Sequence, residues 1–157
     1  MLLIKTKIKV SKINGTGLFA NQFIPKRTVI WKFQPGFDLK IEKNELDELS
    51  KIAKESFLKY AYFNSTINKY ILCFDDARFF NHSDTPNCIE EISSNGEEEG
   101  ITIASRDIQS GEELTSNYRD FDADFDYKMS IPWFLYILWS RCKKSAYFTK
   151  PVKKNHK

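Results

Sequence analysis

The chain has 157 residues, 41% hydrophobic and 15% aromatic, enough for one domain with a real core and too few for two comfortable ones. Its 24 Lys and Arg against 21 Asp and Glu leave a net charge of +3, a balance that demands no nucleic-acid partner. The same composition excludes an intrinsically disordered chain.

Cys73, Cys88 and Cys142 lie far apart with no Cys-x-x-Cys spacing, so neither a metal site nor a disulfide framework is expected. Reduced thiols suit a cytoplasmic protein. Lys5, Lys7 and Lys9 interrupt the apolar start and break any signal peptide. The longest apolar run, residues 131–139, is too short to cross a bilayer, so no membrane partner is expected.

Residues 2–10 alternate apolar and basic side chains and read as a strand with one wet face. A turn at Gly15–Gly17 leads into a short strand at Leu18-Phe19-Ala20. Residues 28–33 are β-branched and aromatic and read as another strand, stopped by Pro35-Gly36. Residues 45–58 are the first predicted helix, with Asn44 as cap, Asp47 three residues on, and Leu46, Leu49, Ile52, Ala53 and Phe57 at helical spacing.

Strands are predicted near 60–63, 70–74 and 87–92. Ser93-Ser94-Asn95-Gly96 opens an acidic hairpin loop, and Ile101 to Ala104 returns from it. A turn at 107–111 precedes a short strand at 113–115. A second helix is predicted from Ser130, with Pro132 in its first turn, to about Cys142. Many short strands and two helices predict a mainly β fold, unlike the alternating units of a doubly wound nucleotide-binding domain.

Three segments carry the chemistry. Gly15-Thr16-Gly17 is one. Arg78 to Cys88 reads Arg-Phe-Phe-Asn-His-Ser-Asp-Thr-Pro-Asn-Cys, and Gly111 to Tyr118 reads Gly-Glu-Glu-Leu-Thr-Ser-Asn-Tyr. In this order and at this spacing, over roughly residues 10–122, the chain resembles the SET-domain family of protein-lysine methyltransferases. The resemblance implies a β-clip of several small sheets, in which the two later segments cross as a pseudoknot. It also implies S-adenosyl-L-methionine as cofactor and a lysine-containing protein as substrate.

Carried residue by residue, the resemblance makes Tyr118 the catalytic tyrosine. Asn81 and His82 become cofactor residues, together with the backbone of Asn14, Gly15, Thr16, Gly17 and Leu18. A second catalytic tyrosine is expected from the strand before the central motif. Tyr60 and Tyr62 share one face if both are on that strand, Tyr60 being preferred and Tyr62 assigned to the substrate channel. Ser116 stands where many relatives carry Phe or Tyr, which implies more room beside the amine and hence higher methylation states.

The resemblance departs in its flanks. After Tyr118 only Cys142 remains, so no zinc-binding C-terminal module can be built. The chain is therefore expected to divide into a core at 1–122, an aromatic helical extension at 123–145 and a basic tail at 146–157. Residues 131–139 are expected to cover the site or to form a homodimer contact. The small size looks more like the compact bacterial and viral members than the chromatin enzymes. Two alternatives stand beside methyl transfer to lysine: a binding module that keeps the fold without activity, and transfer to a non-lysine amine.

Overall fold

A computed structural model describes residues 1–91 and 99–126. The predicted helix at 130–142, the tip of the acidic hairpin, the homodimer face and the basic tail lie outside the described residues. Strands β1 (Thr6–Val10) and β2 (Thr16–Ala20) pair antiparallel, Thr6 opposite Ala20 and Val10 opposite Thr16. Gly15, with φ 47°, makes the turn between them in a region that suits a residue without Cβ.

Strands β3 (Val29–Lys32) and β4 (Leu39–Glu42) follow, then helices α1 (Lys43–Asp47) and α2 (Lys51–Leu58). The single predicted helix over 45–58 is thus two. Glu42 and Glu45 form a reciprocal capping box on α1 instead of Asn44 with Asp47. Ser50 then caps α2 by accepting from the Ala53 N–H at 3.3 Å. The apolar spacing was misleading because it does not mark one buried face: Leu46 and Leu58 are buried, whereas Ile52 is 77% exposed.

Strands β5 (Tyr62–Asn64) and β6 (Lys69–Leu72) join β4 in a sheet ordered β4-β6-β5. Tyr60 therefore does not share a strand with Tyr62. It lies in the turn that ends α2, its N–H donating to the Phe57 carbonyl. A 3-10 helix at Asp76–Phe79 leads into β7 (Asn81–His82). Strands β8 (Cys88–Glu91) and β9 (Ile101–Ala104) complete a second three-stranded sheet, ordered β3-β9-β8. Finally β10 (Thr115–Ser116) pairs parallel with β7, Thr115 opposite Asn81 and Ser116 opposite His82. No helix among the described residues is long and apolar enough to cross a membrane.

One core positions the site. Leu18, Ala20, Ile24, Ile30, Cys88, Ala104, Ile108 and Leu114 are fully buried together. Each large aliphatic side chain contributes about 1.5–3 kcal/mol by leaving water. Leu114 anchors the tyrosine-bearing segment there, and its N–H donates to the Leu18 carbonyl at 2.8 Å. Buried Asn87 adds a second anchor. Its Nδ2 donates to the Glu113 carbonyl at 2.8 Å, and its Oδ1 accepts from the Thr115 N–H at 2.9 Å. The two motif segments are thereby fixed side by side.

Candidate functional site

Asn81 and Tyr118, far apart in sequence, meet through the β7–β10 pair. The Tyr118 N–H donates to His82 Nδ1 at 3.2 Å, and the His82 ring lies 5.4 Å from that of Tyr118. Phe125 completes an aromatic triangle, 5.1 Å from His82 and 5.6 Å from Tyr118. On one side of this junction is the glycine loop, and on the other a tyrosine-lined cavity.

The loop side is organised by Glu113. Asn81 Nδ2 lies 2.7 Å from Glu113 Oε1, 3.2 Å from the Asn14 carbonyl and 3.3 Å from the Thr16 carbonyl. Ser11 Oγ donates to Glu113 Oε2 at 2.9 Å. Gly17 leaves space for this carboxylate, since a Cβ there would stand 2.2 Å from Glu113 Oε1. Asn81 is buried and spends its amide N–H groups on these partners, so it clamps the loop. Leu18 is wholly buried and its carbonyl is taken by Leu114. Glu113 carries no signal in the sequence beyond motif membership; Gly17 comes to lie opposite its carboxylate only because the Phe19–Glu113 bridge makes β2 and residue 113 neighbours.

Each loop carbonyl keeps a second lone pair, and Glu113 is acidic, so this rim is rich in acceptors. That chemistry fits a ligand with positively charged groups, as S-adenosyl-L-methionine has in its sulfonium and ammonium. Asn14, Thr16, Asn81 and Glu113 are the residues that would hold or shape that end.

The cavity across the junction has a volume of about 110 Å³. Tyr60, Tyr62 and Tyr118 all line it, with Phe80, Phe121 and Phe125. Tyr60 thus reaches the expected place from a turn, with its ring 5.9 Å from that of Phe79. The Tyr118 hydroxyl donates to the Phe80 carbonyl. Burial, aided by Asp122 and Glu113, pushes its pKa well above the ordinary phenol value. Tyr62 hydroxyl lies 3.3 Å from Glu99 Oε2, and burial likewise raises its pKa. Ser116 is buried, its carbonyl accepting from the Ser83 N–H at 3.1 Å, and is not among the residues lining this cavity.

A wider groove of about 640 Å³ adjoins the cavity. Tyr62, Glu90 and Phe121 line both. Glu91, Glu99 and Asp120 make the groove acidic, with Arg119 as a cation.

The chain is similar to proteins of one family. Residues 15–119 match the model of the SET domain family. The chain is 30% identical over 116 residues to human histone-lysine N-methyltransferase 2D and 34% identical over 124 residues to the Drosophila melanogaster histone-lysine N-methyltransferase trr. These alignments cover 73% and 78% of the chain, but only 2% and 5% of those much longer relatives. A crystal structure of a Plasmodium falciparum candidate histone methyltransferase superposes with a TM-score of 0.52 at 25% identity, covering 74% of this chain and 95% of that one. The loop, the Asn81–His82 strand and the segment ending in Tyr118 are thus parts of one family architecture, and the chain belongs to the SET-domain family.

Proposed function

We propose that the chain binds S-adenosyl-L-methionine beside the glycine loop and transfers its methyl group to the side-chain amine of lysine in a protein substrate. The observation that carries this reading is the β7–β10 pair, which joins Asn81, the clamp of an acceptor-rich loop, to the segment whose Tyr118 lines a phenol-walled cavity. The bound cofactor supplies an electrophilic methyl group on a sulfonium sulfur. The chain supplies alignment of the incoming amine and exclusion of water.

Tyr118 acts as an orienting group. Its hydroxyl proton is given to the Phe80 carbonyl, which leaves its oxygen lone pairs to accept weak hydrogen bonds from a polarised methyl group or from the amine. Its raised pKa keeps it a neutral phenol at physiological pH, so it does not serve as the general base. The aromatic walls favour the neutral form of an entering amine, because burial penalises the ammonium. Lys59 and Arg78 also line the cavity and their charges act in the same direction, opposed by the carboxyls of Glu90 and Asp122.

The acidic groove beside the cavity supports a substrate with basic residues flanking its lysine. The relatives are named for action on histones, so core histones are the first substrates to test. Tritium-labelled cofactor is incubated with histones and other lysine-rich proteins, with wild type and Tyr118→Phe in parallel. Wild type labels lysine; the variant binds cofactor and folds normally but is slower by about a hundredfold. Equal labelling by both would remove Tyr118 from its role. Cofactor binding without labelling of any protein would favour a binding module, and labelling of free amines alone would favour the non-lysine alternative.

A further inference from the structure

The β3-β9-β8 sheet presents an unexpected polar row. Trp31 on β3 faces Thr102 on β9, which faces Glu90 on β8, so the three side chains share one face of the sheet. All three line the tyrosine cavity. Thr102 Oγ donates to Glu90 Oε1 at 2.8 Å. Trp31 is 4% exposed, and its indole N–H has no hydrogen-bond partner among the described residues. An apolar channel that needed only walls would not carry a carboxyl and an unpaired donor on one of its faces.

We infer that Glu90 accepts the proton shed by the substrate amine and passes it from the tyrosine-lined cavity to the adjoining acidic groove. This rests on reading the cavity as an amine channel. Glu90 lines both spaces, so one side chain connects the tyrosine-lined cavity with the wider groove. In the step, an N–H bond of the substrate ammonium breaks and an O–H bond forms on the carboxylate, directly or through one water. The nitrogen lone pair so exposed attacks the methyl group, and the carboxylic acid later loses its proton to water in the groove.

The surroundings tune Glu90 for this task. Burial pushes its carboxyl up to about 7; the Thr102 hydroxyl opposes the rise, and Asp120 and Glu99 reinforce it. An acceptor titrating near neutral pH matches the operating range of general base catalysis. The other charged groups of the two spaces are Lys59, Arg78 and Asp122 around the cavity and Glu91 and Arg119 along the groove. Lys40 Nζ sits 3.6 Å from Glu99 Oε1. Tyr62, Tyr118 and Cys73 line the chamber with pKa values raised by burial, so they stay neutral there. Glu90 is thus a cavity carboxyl poised to change charge near pH 7.

The test has two readouts. First, the Glu90 carboxyl resonance, assigned with Glu90→Gln, is titrated by NMR with n-butylammonium or n-butanol present. The ammonium lowers the midpoint and the alcohol does not; identical midpoints with both probes would overturn the inference. Second, labelled methyl transfer is followed against pH. Glu90→Gln is slower at neutral pH by about a hundredfold, with KM little changed and activity recovering as alkali deprotonates the amine. Thr102→Val, which removes the donor that favours the carboxylate, shifts the acidic limb to higher pH and serves if Glu90→Gln does not fold. An active wild type with an unaltered profile in both variants would refute the role of Glu90 alone. A wild type whose carboxyl responds to butylammonium, but which transfers no methyl group, would support the contact and contradict the methyl-transfer reading.

Discussion

Gly17→Ala tests the clamp that holds the glycine loop. The new methyl group would lie 2.2 Å from Glu113 Oε1, 2.9 Å from Glu113 Cδ and 3.0 Å from Ser11 Cβ. A free glutamate would swing aside, but this one is held by Asn81 and Ser11 at 2.7 and 2.9 Å. Hydrogen bonds to a charged acceptor are worth about 1.5–3 kcal/mol each. Asn81 retains the two loop carbonyls as partners, so the variant should lose about 2–4 kcal/mol. Denaturant unfolding measures the loss in Gly17→Ala, Glu113→Ala and the double variant. If the carboxylate is what the methyl group strikes, the double variant is no less stable than Glu113→Ala, within about 0.5 kcal/mol. Additive losses would refute the steric argument, because they would locate the cost of Gly17→Ala elsewhere.

Asn87→Ala strands the Thr115 N–H and the Glu113 carbonyl in the interior and should cost about 2–4 kcal/mol by the same unfolding assay. A loss below about 0.5 kcal/mol would mean that water replaces the amide. Stability should also fall as pH rises through neutrality. Glu90 is raised from 4.5 to about 7, so the folded state binds the extra proton, and the stabilisation is full below the ordinary carboxylate range and lost above pH 7. Its upper limit is roughly 3 kcal/mol; comparing the pH dependence of unfolding in wild type and Glu90→Gln isolates it, and parallel curves would contradict the assignment.

Local chemistry was readable where a short pattern determines it. The β-branched run at 28–33 and Ile101 to Ala104 are strands, and the three motif segments do converge. The helix over 45–58 failed because Ser50 offered a better N-terminus than the apolar spacing offered a continuous face. Tyr60 was assigned to a strand that begins only at Tyr62, yet its ring still reaches the cavity; the residue type was a better guide than the backbone. The motif marks Asn81 as a cofactor residue, and the fold adds a second task, since its Nδ2 donates to Glu113 and the loop carbonyls, contacts that exist only after folding. Glu90 left a faint signal. It lies two residues beyond Cys88 on one strand, hence on the same face as a buried residue. Only the pairing with Thr102 and Trp31 places it in the chamber.

The most direct test of the proposed activity is mass-spectrometric location of the transferred methyl group on histones treated with the chain and S-adenosyl-L-methionine. The account predicts methylation at lysine ε-amines that requires cofactor and is strongly reduced by Tyr118→Phe. Folded protein that binds the cofactor and leaves every lysine unmodified, across histones and a broad set of basic proteins, would contradict it.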